Sequence, residues 1–336
     1  MKNNRTAKKY VSSGGVTAYT LPVEAFPNHV TNCYLVMDDP ITLIDASSGR
    51  DSANEELVKS FERIRDEFGE KATLEDVGRL IITHGHVDHF GGVNFVAEKT
   101  DAEIGIHELD LSVVQNFKER LLVTSTNLHF FLDRSGLSGE RVSALLMMNK
   151  WSKDSFKPRP VDFVIEEGYV QGGQLYAHHV PGHCPGQICL QLHDILFTAD
   201  HVLSHITPNQ SPEAITRYAG LGHYMESLRK IRMIDGIRIG LGGHEQDMED
   251  LGWRIDDTLS FHDGRLEKTL AVLKEPCTVA EVSRGLFGEQ IDYSILLAML
   301  ETGAHVEYLY ERGQLIVTNI DEVDQKFNPV LKYVAV

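Results

Sequence analysis

One short segment constrains this chain more than any other. An apolar run typical of a buried strand leads directly into four side chains of metal-binding type, His84, His86, Asp88 and His89. His84 and His86 are two residues apart, so in extended backbone both rings point to the same side. Gly85 lets the chain bend tightly between them. Imidazole and carboxylate suit zinc, iron or manganese, and a histidine-rich set fits zinc best.

Clustered histidines near a helix start also occur as solvated or capping groups. The chain has 16 histidines, so most of them need no special function. Here, however, four ligand-type residues follow a buried strand at close spacing, and this pattern favours a metal site.

The composition is that of a folded protein with one large domain and an appendage, or with two domains. Of 336 residues, 42% are apolar and 24% are charged, which excludes a mainly disordered chain. The formal net charge is −17, from 49 acidic and 32 basic residues. Broad binding to nucleic acid or to an anionic membrane needs a basic surface, so this charge argues against both.

The start of the chain and its cysteines predict a cytoplasmic protein. Residues 1–10 are polar and lysine-rich and no apolar stretch follows them, so no secretory signal or membrane span is expected. Cys33, Cys184, Cys189 and Cys277 show no CxxC spacing and are interpreted as free thiols.

The first 110 residues alternate strand-like and helix-like segments, which predicts an α/β layer fold. Residues 109–156 differ, with two helical patterns broken at Gly136 to Gly139 and many apolar side chains, among them Met147, Met148 and Trp151. Such a helical hairpin caps an active site, forms a dimer interface or packs on the sheet. The sequence leaves these three interpretations open.

The last part of the chain has the element order of a winged helix. The pattern predicts helices at 279–286 and 293–300, a helical or extended segment at 306–310, and a β-ribbon from Arg312-Gly313 to Val317. From Ile255 to Val336 there are 14 acidic and 7 basic residues. A DNA-reading module would carry basic side chains here, so packing against the catalytic domain or a partner subunit is the better interpretation.

Four further motifs accompany this segment. One precedes it, Leu43-Ile44-Asp45-Ala46, and three follow it in order: Val180-Pro181-Gly182-His183, Phe197-Thr198-Ala199-Asp200-His201 and Gly242-Gly243-His244. Together with His84, His86, Asp88 and His89 as an HxHxDH motif, they resemble the metallo-β-lactamase superfamily over most of residues 17–246. The resemblance implies a four-layer αββα sandwich at 1–250 with a helical insert at 109–156. A helical linker and a small winged-helix-like α+β domain would occupy 251–336.

The resemblance also implies a site with two divalent ions, zinc first, with iron or manganese as alternatives. The first ion would be held by His84, His86 and His183. The second would be held by Asp88, His89 and His244, with Asp200 between the two. Ions about 3.5–4 Å apart can share a hydroxide that attacks a carbonyl or phosphoryl centre. Asp88 would also orient this hydroxide, and Asp45 would support a ligand histidine.

Two residues narrow the chemistry that the resemblance implies. His86 stands where oxygen-reducing relatives carry an acid, which disfavours redox use. Asp200 stands at the position where true β-lactamases generally lack a bridging aspartate. The sequence pattern is therefore closer to the glyoxalase II, lactonase and nuclease branches. The predicted function is hydrolysis of an ester, thioester or lactone of a small, lipophilic substrate by a cytoplasmic enzyme, with a homodimer as one assembly. Endoribonuclease action on single-stranded RNA and a metal-stabilised winged-helix regulator are the alternatives.

The remaining histidines divide into two groups. Those near the motifs are either neighbours of the site or ordinary surface or core residues: His178, His179, His201 and His205. Those with no motif behind them are expected to have no role in the site: His29, His107, His129, His193, His223, His262 and His305.

Overall fold

The computed structural model describes residues 6–151 and 156–336, and their packing divides them into two units. Unit one contains residues 6–117, 156–208 and 227–255, and unit two contains 118–151, 209–226 and 256–336. The side chain of Trp151 and residues 152–155 of the predicted insert lie outside the described part. The predicted domain limits at 250 and 251 stay a proposal.

Unit one is built on two β-sheets. The first has seven strands in chain order, β1 (Lys8–Val11), β2 (Thr17–Phe26), β3 (His29–Val36), β4 (Thr42–Ile44), β5 (Arg79–Ile82), β6 (Glu103–His107) and β7 (Phe163–Ile165). The second has the order β12-β11-β10-β9-β8, with β8 (Gly168–Tyr169), β9 (Tyr176–His179), β10 (Ile188–Leu192), β11 (Ile195–Ala199) and β12 (Ile239–Gly242).

The two sheets face each other across one apolar core. Ile44 and Ile81 of the first sheet share this core with Leu190 and Leu241 of the second, and all four are buried. Alternate residues of a strand point to opposite faces, so these positions lie on the inner faces of the sheets. The predicted α/β sandwich is therefore confirmed.

Helices cover the sheets of unit one. They are α1 (Asp51–Phe68), α2 (Val87–Phe90), α3 (Val93–Lys99) and α4 (Leu111–Gln115), and parts of α7 (Leu221–Arg232) and α8 (Leu251–Val272). Helix α1 buries Leu57, Phe61 and Ile64 at helical spacing and ends at Gly69, whose φ of 72° is the left-handed conformation that glycine adopts readily.

Strand direction places the site. Strands β4, β5, β6 and β7 are mutually parallel, as are β11 and β12, so their carboxyl ends meet at one edge of each sheet. Every predicted ligand or supporting residue lies within a few residues of the carboxyl end of a strand. Asp45 follows β4, His84 to His89 follow β5, His183 follows β9, Asp200 follows β11 and His244 follows β12.

Unit two is mainly helical. Its helices include α5 (Phe117–Arg134), α6 (Gly139–Trp151), α9 (Val279–Phe287), α10 (Tyr293–Glu311) and α11 (Ile320–Gln325), and it has an antiparallel pair of strands, β13 (Leu315–Val317) and β14 (Tyr333–Ala335). Within the described ranges, no helix has the length and apolar character needed to cross a membrane.

The predicted break between 293–300 and 306–310 is wrong, because α10 runs through both segments as one helix. Gly303 does not end this helix. A Cβ at Gly303 would lie 2.5 Å from the Phe131 ring and 2.8 Å from Pro212, so the glycine permits close packing in unit two. The predicted β-ribbon is a pairing of β13 with the distant β14, and the winged-helix description stays a prediction.

We expect Glu307 to make the stability of unit two depend on pH. Its carboxylate accepts the backbone N–H groups of Glu213 at 2.5 Å and Ala214 at 2.9 Å. Burial outweighs these hydrogen bonds and raises the pKa of Glu307 to about 7. Because the folded state binds this proton more tightly than the unfolded state, stability should fall as the pH rises from about 4.5 to about 7. In Glu307→Gln the thermal midpoint should lose this dependence, with the exposed Glu322→Gln as a control. An unchanged pH profile in Glu307→Gln would contradict the assignment.

Candidate metal centre

The predicted ligands converge at the strand-end edge of unit one, with Asp200 in the middle. The Asp200 carboxylate lies 3.3 Å from His244 Nε2 and 3.4 Å from His89 Nε2. It lies 3.7 Å from His183 Nε2 and 3.9 Å from His84 Nε2. His86 joins from the other side, with its Nδ1 at 3.0 Å from His183 Nε2.

Hydrogen bonds fix which nitrogen of three of these rings points inward. His89 Nδ1 donates to Asp45 at 2.7 Å, and His244 Nδ1 donates to the Val30 carbonyl at 2.7 Å. His84 Nδ1 lies 3.1 Å from the Thr83 hydroxyl, whose own proton goes to Asp45 at 2.8 Å. Each Nδ1 is therefore engaged outside the centre, and each Nε2 points towards the carboxylates.

This arrangement fits bound cations. His84 Nε2, His89 Nε2 and Asp200 Oδ1 are buried without a hydrogen-bond partner among the described residues. Buried polar atoms are normally partnered, and lone pairs that face carboxylate oxygens repel each other unless a positive charge lies between them. The nitrogen and oxygen donor set is the one that zinc and similar divalent ions prefer.

The pKa values of His244, His86 and Asp200 show how the carboxylates and imidazoles of the centre act on one another. Burial alone would lower the pKa of His244, but the Asp200 carboxylate outweighs it and raises the pKa to about 9. His86 shows the opposite: burial, with His183 as an imidazole neighbour, lowers its pKa to about 3. Burial would raise the pKa of Asp200, but His244 and His89 hold it well below its usual range. The carboxylates of the centre thus stabilise positive charge on His244, whereas burial and a neighbouring imidazole disfavour it on His86.

Asp45 links the carboxyl ends of β4 and β5. Its Oδ1 accepts the Thr83 backbone N–H at 2.8 Å, while its Oδ2 accepts the Thr83 hydroxyl at 2.8 Å and His89 Nδ1 at 2.7 Å. The side chain is 2% exposed, so all three bonds are buried. A buried carboxylate that orients a ligand histidine is a common support of metal centres.

The described chain matches two family descriptions. Residues 27–251 match the metallo-beta-lactamase superfamily, and residues 266–329 match a metallo-beta-lactamase-like C-terminal domain.

The chain belongs to the metallo-β-lactamase superfamily. The predicted membership, and with it the expectation of a superfamily enzyme, is confirmed.

Curated relatives carry more specific names. A region of 136 residues, 38% of this chain and 41% of the relative, is 32% identical to an atrochrysone carboxyl ACP thioesterase of Aspergillus aculeatus. A second protein of that name, from Paecilomyces divaricatus, is 29% identical over 41% of this chain and 45% of its own length. The chain thus spans less than half the length of these relatives.

Two solved structures share the fold over nearly the whole chain. A metallo-beta-lactamase family protein from Thermus thermophilus matches with a TM-score of 0.75 and 24% identity, covering 95% of this chain and 98% of its own. A beta-lactamase domain protein from Burkholderia ambifaria matches with a TM-score of 0.73 and 20% identity, over 98% and 94% of the two chains.

Sequence reasoning missed Asp110, which comes shortly after β6. Its carboxylate accepts the N–H of Gly85, the residue between the first two histidines of the superfamily motif, at 2.8 Å. A Cβ at Gly85 would lie 3.2 Å from this carboxylate, and one at Gly186 would lie 2.7 Å from Asp110 Cγ. Asp110 therefore anchors the loop that carries His86 by a hydrogen bond and packs closely against the loop that follows His183. No motif marked it, because a single aspartate after a strand is common.

Sequence reasoning also assigned no role to His29, but in the structure this side chain contacts the predicted ligand Asp88. Its Nε2 lies 2.8 Å from Asp88 Oδ2. By contrast, His205 is exposed and lies beside Glu245, and His178 contacts Gln191 on the neighbouring strand. His201 is fully buried.

Loss of the Asp45 carboxylate should weaken metal binding. In Asp45→Asn, the side-chain amide has one acceptor oxygen instead of two and no negative charge, so it cannot accept all the hydrogen bonds from Thr83 and His89. We therefore expect about a 10- to 100-fold lower metal affinity. Competition with a chromophoric chelator measures this, with the exposed Asp66→Asn on α1 as a control. Equal affinities for the Asp45 and Asp66 variants would rule out the supporting role.

Asp110 should act through the loop at Gly85. In Asp110→Ala, the Gly85 N–H loses its acceptor, and we expect metal affinity to fall by at least about 10-fold. Asp110→Asn keeps a carbonyl oxygen that can accept this N–H, so it should recover most of the loss. The same chelator competition applies, and an Asn variant as poor as the Ala variant would show that charge rather than the hydrogen bond matters.

Proposed function

We propose that this chain is a dinuclear-metal hydrolase that cleaves the thioester bond of a small, lipophilic acyl substrate. The observation that carries the proposal is the convergence of imidazole nitrogens on the Asp200 carboxylate, with buried, unpartnered atoms on both the imidazoles and the carboxylate. A structural zinc site is closed by four protein ligands. Here the Asp200 carboxylate lies among six further candidate ligands, and seven ligands in one centre suit two ions with open positions.

The ligands divide between two halves of the centre. His84, His86 and His183 would hold the first ion, and their nitrogens lie together in one group within 4.8 Å. The second ion would be held by the remaining three side-chain ligands, Asp88, His89 and His244. Asp200, central to the distances above, would join both halves. We propose zinc as the ion because nitrogen ligands predominate.

Two bound divalent ions would lower the pKa of a water molecule towards neutrality and polarise a substrate carbonyl. The protein's own residues set the geometry for this chemistry. Asp45 keeps the His89 ring in the tautomer whose lone pair points inward. The Asp88 side chain is 14% exposed, against 7% for His183, 8% for Asp200 and 9% for His244, so it is placed to meet an incoming water or substrate.

In the reaction, water oxygen bonds to the acyl carbon and the carbon–sulfur bond breaks. One proton of the water goes to the leaving sulfur, so the products are a carboxylic acid and a thiol. Asp88 is proposed to orient the attacking water, which is the role that the superfamily resemblance implies for it.

Thioesters are favoured over oxygen esters and lactones because of the relatives. Proteins of 32% and 29% identity to parts of this chain are named as ACP thioesterases. The acyl group would accordingly be carried by a thiol, either that of a carrier protein or that of a smaller cofactor. The net charge of −17 gives no general attraction for RNA. RNA is therefore used below only as a comparison substrate.

Metal removal tests the proposal most directly. The chelated protein should lose hydrolysis of acyl-thiol substrates, and two equivalents of zinc per chain should restore it. Asp200→Asn should bind less metal and lower turnover by at least about 100-fold, because a charged group at the centre of the site is removed. Activity would be followed by thiol release from acyl-CoA and acyl-carrier substrates, beside p-nitrophenyl esters, homoserine lactones and single-stranded RNA.

Full thioester hydrolysis after chelation would overturn the metal mechanism. Cleavage of RNA with no thioester or ester hydrolysis would instead make the nuclease alternative correct. Asp66→Asn is the matched control, since its carboxylate is exposed on α1 and lies on no strand end of the site.

A further inference from the structure

The hairpin between β2 and β3 reaches the exposed side of the metal centre. Phe26 and His29 face each other across a two-residue turn, in which Asn28 has a φ of 63°. The Asn28 N–H donates to Glu24 at 2.9 Å, which fixes the turn. The first residue of β3, His29, is thereby held at a defined position rather than on a free loop.

The same hairpin supports a ligand of the second half of the centre. The Val30 carbonyl accepts from His244 Nδ1 at 2.7 Å, and the Asn32 N–H donates to the Gly243 carbonyl at 2.7 Å. Strand β3 is thus bonded along the loop that carries His244. His29 lies one residue before this contact, with its ring centre 4.5 Å from that of His244.

Asp88 is the ligand that most needs an anchor. Its side chain is 14% exposed, against 0% for His89 and 9% for His244. Its Oδ2 is the atom that faces His244 Nε2, at 3.4 Å. Two groups of the hairpin reach this oxygen: His29 Nε2 at 2.8 Å and the Thr31 hydroxyl at 3.4 Å.

We propose that His29 is a positioning residue of the metal centre, which donates a hydrogen bond from Nε2 to Asp88 and so fixes this carboxylate for the second ion. The proposal rests on the two-ion site of the proposed function. The short contact is a hydrogen bond, because a nitrogen and an oxygen at 2.8 Å match the usual donor–acceptor distance. An imidazole beside a ligand carboxylate fixes its rotamer as other outer partners of metal ligands do.

The test compares His29→Ala with His29→Gln. The side-chain amide of glutamine places an N–H donor at nearly the same distance from the backbone as Nε2 of histidine, but it is a poor ligand for zinc or cobalt. The control is His193→Ala, an exposed histidine of unit one that contacts Ser12. Metal binding is measured by equilibrium titration against a chromophoric chelator, and the ligand set by the visible spectrum of the cobalt(II) protein.

In the 336-residue chain, His29→Ala should weaken the second equivalent of metal by about 10- to 100-fold and leave the first unchanged. His29→Gln should restore most of this affinity with the wild-type cobalt(II) spectrum, and His193→Ala should behave as wild type.

Three results would overturn the positioning role. Wild-type affinity in His29→Ala would show that the hydrogen bond is dispensable. A glutamine variant as weak as the alanine variant, with a changed cobalt(II) spectrum, would show that His29 is itself a ligand. Loss of both equivalents in the alanine variant would indicate general damage to the site. If the wild-type protein binds fewer than two ions, the proposed function fails before the variants are compared.

Discussion

The three hydrogen bonds of Asp45 hold together the two parallel strands that carry the largest part of the centre. This carboxylate bonds the start of the His84 segment and its last histidine, His89, at the same time. The geometry depends on an uncommon backbone conformation, because Asp45 has a φ of 62° although it is not glycine. Ala199 and Glu245, each next to a predicted ligand, have φ values of 45° and 65°. Such conformations cost roughly 1–3 kcal/mol each and persist only where the surroundings determine them.

Close backbone packing reinforces this constraint. A Cβ at Gly92 would lie 1.9 Å from the Ala46 carbonyl oxygen, and one at Gly91 would lie 2.2 Å from that of Ser48. The loop after β4 and the segment after Asp88 therefore touch through backbone alone. Any side chain at these glycines would force them apart and move His89 away from Asp45. The chemistry of the centre thus depends on two glycines that bind nothing themselves.

Much of the site could be predicted from the sequence, because its ligands follow strands and stand in closely spaced motifs. The parts that could not be predicted involve partners distant in the chain. His29 meets Asp88 through the geometry of a hairpin turn, and nothing in the residues around His29 marks that contact. Asp110 meets Gly85 because β5 and β6 are neighbours in the sheet. The sequence predicted separate segments at 293–300 and 306–310, yet α10 is continuous. Gly303, between them, is a weak helix former but packs against Phe131 and Pro212, so the helix continues through it.

The make-up of unit two determines how this chain can be shortened. Its last segment bonds two stretches from the middle of the sequence: Ala280 N–H donates to Ser135, and Glu301 accepts from Gln210. A chain cut after residue 255 would keep residues 118–151 and 209–226 but remove the segment that they pack against. Buried side chains such as Leu132 would then face water, which favours aggregation. The C-terminal part is therefore not a detachable module, and removing it would leave two unsupported, largely helical segments in the remaining protein.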